Sequence, residues 1–321
     1  MNETIDITLP ITHNSYKKYF PILTAICCMT SIILFIGINL EDKSNTWAVY
    51  KKWGSPSVTD IFNGSYWGLF TSNFLHIEIW HIAPNLYWLY IFGKKIEFES
   101  KKPFYLLLII SAAFVSSLSE ISFGNTSGIG LSGIGYCLFG FIIVKSKTTE
   151  TYKNFLDKRT IRSFIFWLFL CIILTQNKAW NVGNAAHISG FLWGMSLAYL
   201  SKFDNYRQWG VGILLVAVLI SSIFFSPFST SWLSHQAFEL HKNLKVEEAM
   251  SIYKKILQRE PDNEFAKINL KQLEIHQLQE RALKFHTSQK YKEARQVYNE
   301  LLSIDPNEQW AKDNLKILPF K

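Results

Sequence analysis

The chain has 321 residues, 49% of them hydrophobic, and a formal net charge of +8. Its mean hydropathy of +0.08 suits an ordinary soluble protein, but the average hides two unlike parts: seven apolar segments up to about residue 230, then a tail rich in Lys, Glu, Gln and Asn. The basic residues sit in short loops between apolar segments, a bilayer-orientation pattern that argues against nucleic-acid binding, and all four cysteines (Cys27, Cys28, Cys137, Cys171) lie in apolar segments, which argues against a disulfide framework.

Residues 1–18 read as a polar N-terminal tail. Tyr19 to Leu40 is uncharged and long enough to cross a hydrocarbon core. It is longer than the apolar region of a signal peptide and no small-residue cleavage site follows, so it counts as a first span. Residues 41–75 form a polar-aromatic connection with Trp47, Trp53, Trp67 and Phe70, a composition suited to the membrane interface. Further spans are expected at about 77–93, 103–121, 131–145, 161–176, 183–201 and 209–227. Several are short, and two hold a histidine or asparagine at depth, so these helices should face one another and not lipid.

Alternate loops differ in basic residues. One side of the membrane collects fourteen Lys and Arg, the other only Lys43, Lys51, Lys52 and Lys178. The rule that basic loops stay inside puts the N-terminus in the cytoplasm. Seven spans, over residues 19–230, then place residues 231–321 outside it.

That tail repeats at an offset of 45 residues: Glu248-Ala249 with Glu293-Ala294, Tyr253 with Tyr298, Pro261 with Pro306. The small–aromatic–proline order resembles the tetratricopeptide repeat, whose period is about 34 residues. Eleven additional residues make nearly three whole helical turns, so they lengthen a helix without rotating its apolar face. One long helix is therefore expected from about Asn263 to Thr287. A plain helical hairpin, duplicated without that ancestry, is the alternative. Two repeats are fewer than a self-sufficient stack needs, so the tail should lean on the membrane domain, a second copy or a partner.

Three constellations carry chemistry. Gly130-Leu131-Ser132-Gly133 opens an apolar helix after a glycine-rich stretch (Gly124, Gly128, Gly130). Backbone N–H groups at a helix start lack intrahelical partners, and such donors are what an oxyanion needs. Alone, the glycines equally suit close helix packing. The second constellation is Ala186-His187-Ile188-Ser189-Gly190, followed by Gly194. A histidine in a span points to a role inside the bundle, and the Gly190–Gly194 spacing lets two backbones approach. A neutral imidazole there could take a hydroxyl proton and return it to a leaving amine. A purely structural hydrogen bond to a neighbouring helix is the plainer reading.

The third is His76, His81 and Asn85. His81 and Asn85, four apart, project from one helix face and suit oxyanion stabilisation. His76, five before His81, falls about 140° away on a helix, which does not suit a shared metal; nor is the spacing that of a His-Glu-x-x-His zinc site. No metal and no cofactor is called for.

In this order, on the second, fourth and sixth spans, these motifs resemble the rhomboid intramembrane serine proteases over roughly residues 60–200. The resemblance implies an all-α polytopic membrane bundle of six core spans plus a seventh, here joined to a C-terminal helical repeat domain. It implies Ser132 as nucleophile and His187 as base, in a dyad without an orienting carboxylate. His81, Asn85 and the Ser132 backbone N–H would form the oxyanion hole, with Gly130 and Leu131 as further groups stabilising the oxyanion or substrate. Tyr136 matches the tyrosine against which the base packs, and His76 a structural position; Gly190 and Gly194 support the approach of the helices. Substrates would be transmembrane segments of proteins in the bilayer, cleaved near the extracytoplasmic side, and the location a bacterial inner membrane. Two departures stand out: Trp67-Gly68 replaces a common Trp-Arg pair, and Pro84 precedes Asn85 where a bulky apolar residue is usual. The rival reading is a non-enzymatic membrane adaptor whose repeats recruit or self-associate. Aspartyl chemistry is excluded, since no span contains aspartate, and a transporter would show inverted repeats or paired intramembrane charges.

Overall fold

The computed structural model describes residues 13–41, 46–123, 128–177, 179–180, 182–201, 206–224 and 229–319. Gly124, Lys43, Lys178, Lys202 and the end of the span expected over 209–227 lie outside them. Among the described residues every regular element is helical, and the chain divides into two compact units, 1–229 and 230–321.

In the first unit a short α1 (His13–Lys18) precedes α2 (Ile22–Leu40). Pro21, at the N-cap, has no side-chain donor or acceptor to offer, so the first free N–H groups of α2 find an acceptor elsewhere. It is Glu97, 2% exposed, which accepts from Leu23 N–H at 3.0 Å, Thr24 N–H at 2.9 Å and the Thr24 hydroxyl at 2.8 Å. Glu97 belongs to α6 (Ile79–Glu99), reached through α3 (Thr46–Lys52), α4 (Val58–Phe62), α5 (Gly68–Thr71) and a 3-10 turn at Ser72–Phe74. The connection expected over 41–75 is thus mostly short helices. Ser57 and Asp60 cap α4 reciprocally, and Lys51 pairs with Asp60 at 2.6 Å. Gly68 is buried against Pro56, whose Cδ would lie 2.6 Å from an added Cβ. That close packing explains glycine after Trp67: no longer side chain fits. Pro84 lies inside α6, which continues across it.

The remaining helices of this unit are α7 (Lys102–Phe123), α8 (Ser132–Thr148), α9 (Lys158–Gln176), α10 (Asn184–Leu200) and α11 (Tyr206–Phe224). Among the described residues three stretches, Tyr16–Leu40, Lys102–Phe123 and Lys158–Gln176, are long and apolar enough to cross a membrane. By contrast α8 and α10 have 17 residues each, about 25 Å of helix, and carry the polar and glycine-rich motifs. They pack on each other, with α8 also against α6 and α7. Glycine makes this possible. A Cβ on Gly190 would overlap the Gly133 carbonyl oxygen, one on Gly194 that of Cys137, and one on Gly140 that of Phe191. Backbone therefore meets backbone along the seam. Around it, Phe139 stacks on Phe164 of α9 at 4.3 Å, and Phe92 of α6 lies 6.0 Å from Phe139.

The second unit consists of α12 (Thr230–Lys242), α13 (Val246–Arg259), α14 (Glu264–Thr287), α15 (Tyr291–Ile304) and α16 (Gln309–Ile317). The long helix expected over 263–287 is α14, and Asn263 caps it by accepting the Ala266 N–H at 3.0 Å. Its two halves serve different cores. Ala266 and Leu273 join Leu233, Ala237, Ala249 and Tyr253; Leu278 and Ala282 join Ala294, Tyr298, Ala311 and Leu318. Each residue named in the first core recurs 45 places on in the second, and so does the turn residue of positive φ, Leu244 and Gln289, both at 59°. The long helix thus lends its first half to one core and its second half to the other.

Candidate active site

The turn into α8 is built by glycine. Gly128 has φ +58° and Gly130 φ +104°, values at which a Cβ costs energy. A Cβ on Gly130 would also meet His81 Nε2 at 2.6 Å and His76 Nε2 at 3.3 Å, so both imidazoles lie against this turn. The chain then enters α8 at Ser132, its first residue.

His187 is the fourth residue of α10 and 3% exposed. Its Nε2 lies 2.7 Å from Ser132 Oγ, a full hydrogen bond. The ring stacks on Tyr136 with centroids 4.7 Å apart and planes at 30°. Tyr136 is itself held by its hydroxyl, which donates to the Phe164 carbonyl at 3.2 Å. His187 Nδ1 has no hydrogen-bond partner among the described residues. Ser132, His187 and Tyr136 therefore form one stacked, hydrogen-bonded group, and Gly190, one turn along α10, sets its spacing.

His76 sits differently from the helical projection. It precedes the first residue of α6, Ile79, so a 100°-per-residue rotation does not apply, and its ring meets that of His81 with centroids 4.8 Å apart. Its Nδ1 faces the Phe74 carbonyl at 3.2 Å, which fits the tautomer with hydrogen on Nδ1. Nε2 then accepts the Leu131 N–H at 3.2 Å and faces Asn85 Nδ2 at 3.1 Å. His76 thus ties the turn before Ser132 to α6. Two expected donors are corrected by this arrangement: the Leu131 N–H is taken by His76, and the Gly130 N–H donates to the Ser72 carbonyl at 3.2 Å. Neither is free. The Ser132 N–H opens the helix, where no carbonyl lies one turn back. Asn85 has a second amide hydrogen beyond the one aimed at His76.

One residue of this neighbourhood went unread in the sequence. Glu120, near the end of α7 and 3% exposed, accepts the Ala186 N–H on its Oε2 at 3.0 Å. A signal for it exists: it is the sole acidic or basic residue between 103 and 121, and a charge inside an apolar span marks a functional position by default.

Sequence comparison adds to this geometry. Residues 63–202 match the family described as the rhomboid domain. Over 240 residues it is 24% identical to Rhomboid protease GluP of Bacillus subtilis (strain 168), covering 72% of this chain and 46% of that protein. Over 189 residues it is 23% identical to Rhomboid protease GlpG of Salmonella paratyphi A and of Salmonella typhi, covering 58% of this chain and 65% of each relative. The chain thus spans between about half and two-thirds of the length of these relatives. The stretch that matches the rhomboid domain contains α5 to α10 and every site residue named above; α2, α11 and the second unit fall outside it.

Proposed function

We propose that the protein is an intramembrane serine endopeptidase that cleaves transmembrane segments of other membrane proteins, with Ser132 as nucleophile and His187 as general base. The observation that carries this reading is the 2.7 Å contact between Ser132 Oγ and His187 Nε2 on two helices joined backbone to backbone. Ser132 Oγ attacks the scissile carbonyl while its proton passes to Nε2; the imidazolium then gives that proton to the leaving amine, and water repeats the sequence to release the acyl group. Tyr136 keeps the ring in plane through both transfers. The Ser132 N–H, the second Asn85 amide hydrogen and His81 supply the donors for the oxyanion. A helical peptide bond is shielded by its own backbone, so the substrate helix must unwind locally to reach Ser132.

The bundle spans the membrane seven times with its N-terminus in the cytoplasm, supported by the unequal Lys and Arg count of alternate loops. That orientation puts the start of α8 and residues 231–321 toward the extracytoplasmic side of what we take to be a bacterial inner membrane. The tail, with its small–aromatic–proline order, is of tetratricopeptide type and selects or positions clients, through a protein partner or a second copy.

The test is reconstitution in bilayers with a helix-destabilised transmembrane substrate. Wild type cleaves it and Ser132→Ala does not. Equal cleavage by the two would end the protease reading and leave the adaptor. For the tail, deletion of residues 236–321 should change which clients are cut in cells; an unaltered set of products would remove that role.

A further inference from the structure

We propose that Glu120 is a positioning residue of the Ser132–His187 site, a buried hydrogen-bonding wedge that holds the turn before the nucleophile and the turn before the base in register; this rests on the protease reading above. The two turns are far apart in sequence and come from different helices. Where each turn meets its helix it carries glycine in place of a side chain: Gly128 and Gly130 before Ser132, Gly183 at the N-cap of α10.

Start with α10. Its first N–H groups need acceptors from outside the helix. An N-cap Ser, Asp or Asn would supply one, but the N-cap is Gly183, and no side-chain cap bond forms there. Glu120 reaches across from α7 and accepts the N–H of Ala186, the third residue of α10, at 3.0 Å. The next residue is His187. The N-cap function has been transferred to a side chain on another helix, so the first turn of α10 is fixed relative to α7 and not merely to its own loop.

The same side chain fills the space beside both turns. A Cβ on Gly183 would lie 3.3 Å from Glu120 Oε2 and 3.4 Å from its Cδ; one on Gly128 would lie 3.2 Å from its Cγ. The stem therefore rests on the turn that leads into α8 and the carboxylate on the turn that leads into α10. Glycine at 128 and 183 is what admits it. With α8 and α10 already touching through Gly133 and Gly190, the wedge closes the end of the seam at which Ser132 Oγ and His187 Nε2 must stay 2.7 Å apart.

A buried carboxylate is costly, and packing alone would be met by leucine. What the geometry asks for is an acceptor at the far end of a side chain of this length. Glutamine meets that requirement with its Oε1; leucine fills the volume without an acceptor; alanine does neither.

The experiment measures kcat and KM for cleavage of a transmembrane substrate, the rate at which a small alkyl fluorophosphonate labels Ser132, and the thermal midpoint, for wild type and for Glu120→Gln, Glu120→Leu and Glu120→Ala. The expected result is a fall in kcat of about 10- to 100-fold for the Leu and Ala variants, of the size misalignment near a reacting centre produces. KM should stay within about twofold, labelling should slow in parallel with kcat, and Glu120→Gln should recover most of the rate. Should the Ala and Leu variants fail to fold, Glu120→Asp, which withdraws the carboxylate by one methylene, takes their place against Glu120→Gln. The proposal is overturned if Glu120→Leu matches Glu120→Gln, if Gln fails to rescue, or if only the thermal midpoint moves. A wild type that neither cleaves nor is labelled at Ser132 would instead overturn the protease reading, so the two failures are separable.

Discussion

Replacing Gly190 by alanine tests the backbone seam on which the site depends. The added Cβ would overlap the Gly133 carbonyl oxygen and lie 3.1 Å from both the Gly133 carbonyl carbon and Ser116 Oγ, whereas ordinary contact begins at 3.4 Å. The main obstacle is helix backbone, which cannot rotate aside as a side chain would. To clear the oxygen, α10 must retreat from α8 by roughly 1 Å at this level, a displacement of the size that costs about 10²-fold in turnover. Gly190 is three residues from His187 and Gly133 is next to Ser132, so the retreat falls on the reacting pair. The 2.7 Å contact would open to more than about 3.5 Å and cease to be a hydrogen bond. Overpacking of this kind also destabilises by about 1–3 kcal/mol. Turnover of a reconstituted transmembrane substrate, with thermal unfolding followed in parallel, reads both effects. Gly135→Ala is the control: a Cβ there meets nothing within 4 Å, and loss of a glycine within a helix should leave the thermal midpoint unchanged or raised. Gly190→Ala with wild-type kcat and midpoint would show that the backbones of α8 and α10 are not in contact as described.

Asn85→Ala should lower kcat by about one to three orders of magnitude; unchanged single-turnover cleavage would remove Asn85 from the oxyanion site. Glu97→Ala strips the acceptor from Leu23 N–H, Thr24 N–H and the Thr24 hydroxyl, leaving buried donors unpaired at about 1–3 kcal/mol each. Its thermal midpoint should drop by several degrees, and a midpoint equal to wild type would refute the capping role. In the connection between α2 and α6, the Lys51 hydrogen bond, aided by Ser57, holds the Asp60 carboxyl below the usual carboxylate range. A depressed folded-state value stabilises the protein above the ordinary carboxylate pKa, and that contribution is lost as pH falls through the folded value. Thermal midpoints recorded from about pH 6 down to about pH 3 should therefore fall less steeply in Asp60→Asn than in wild type.

Much of the site was legible because its chemistry leaves compositional marks. A histidine and an asparagine inside apolar segments are costly enough to signal purpose, which marks His187, His81 and Asn85; Ser132 stands out by its place at a glycine-rich helix start, and Tyr136 only by the family resemblance. What failed was projection beyond helix ends. Helical spacing puts His76 on the far side of His81, but α6 begins only at Ile79, which leaves His76 free to bond Leu131 and Asn85. Local pattern leaves the Gly130 and Leu131 N–H groups without acceptors, because theirs come from remote segments, the Ser72 carbonyl and the His76 ring. Glu120 and Glu97 were missed for a related reason: each caps a helix that is distant in sequence, and capping rules look only to neighbours.

By itself, the sequence determined the helical class, the polar tail and its 45-residue period, and which side chains are fit for proton transfer, since these follow from apolar run length, periodicity and side-chain chemistry. Only the tertiary structure decided how those groups meet. The 2.7 Å between Ser132 and His187 exists because Gly133 and Gly190 let two backbones touch, a contact between residues whose separation along the chain carries no information about distance. The same holds for the wedge of Glu120 between Gly128 and Gly183. Close packing turns an absent side chain in one segment into room for a particular one from another, and that complementarity is a property of the folded chain alone.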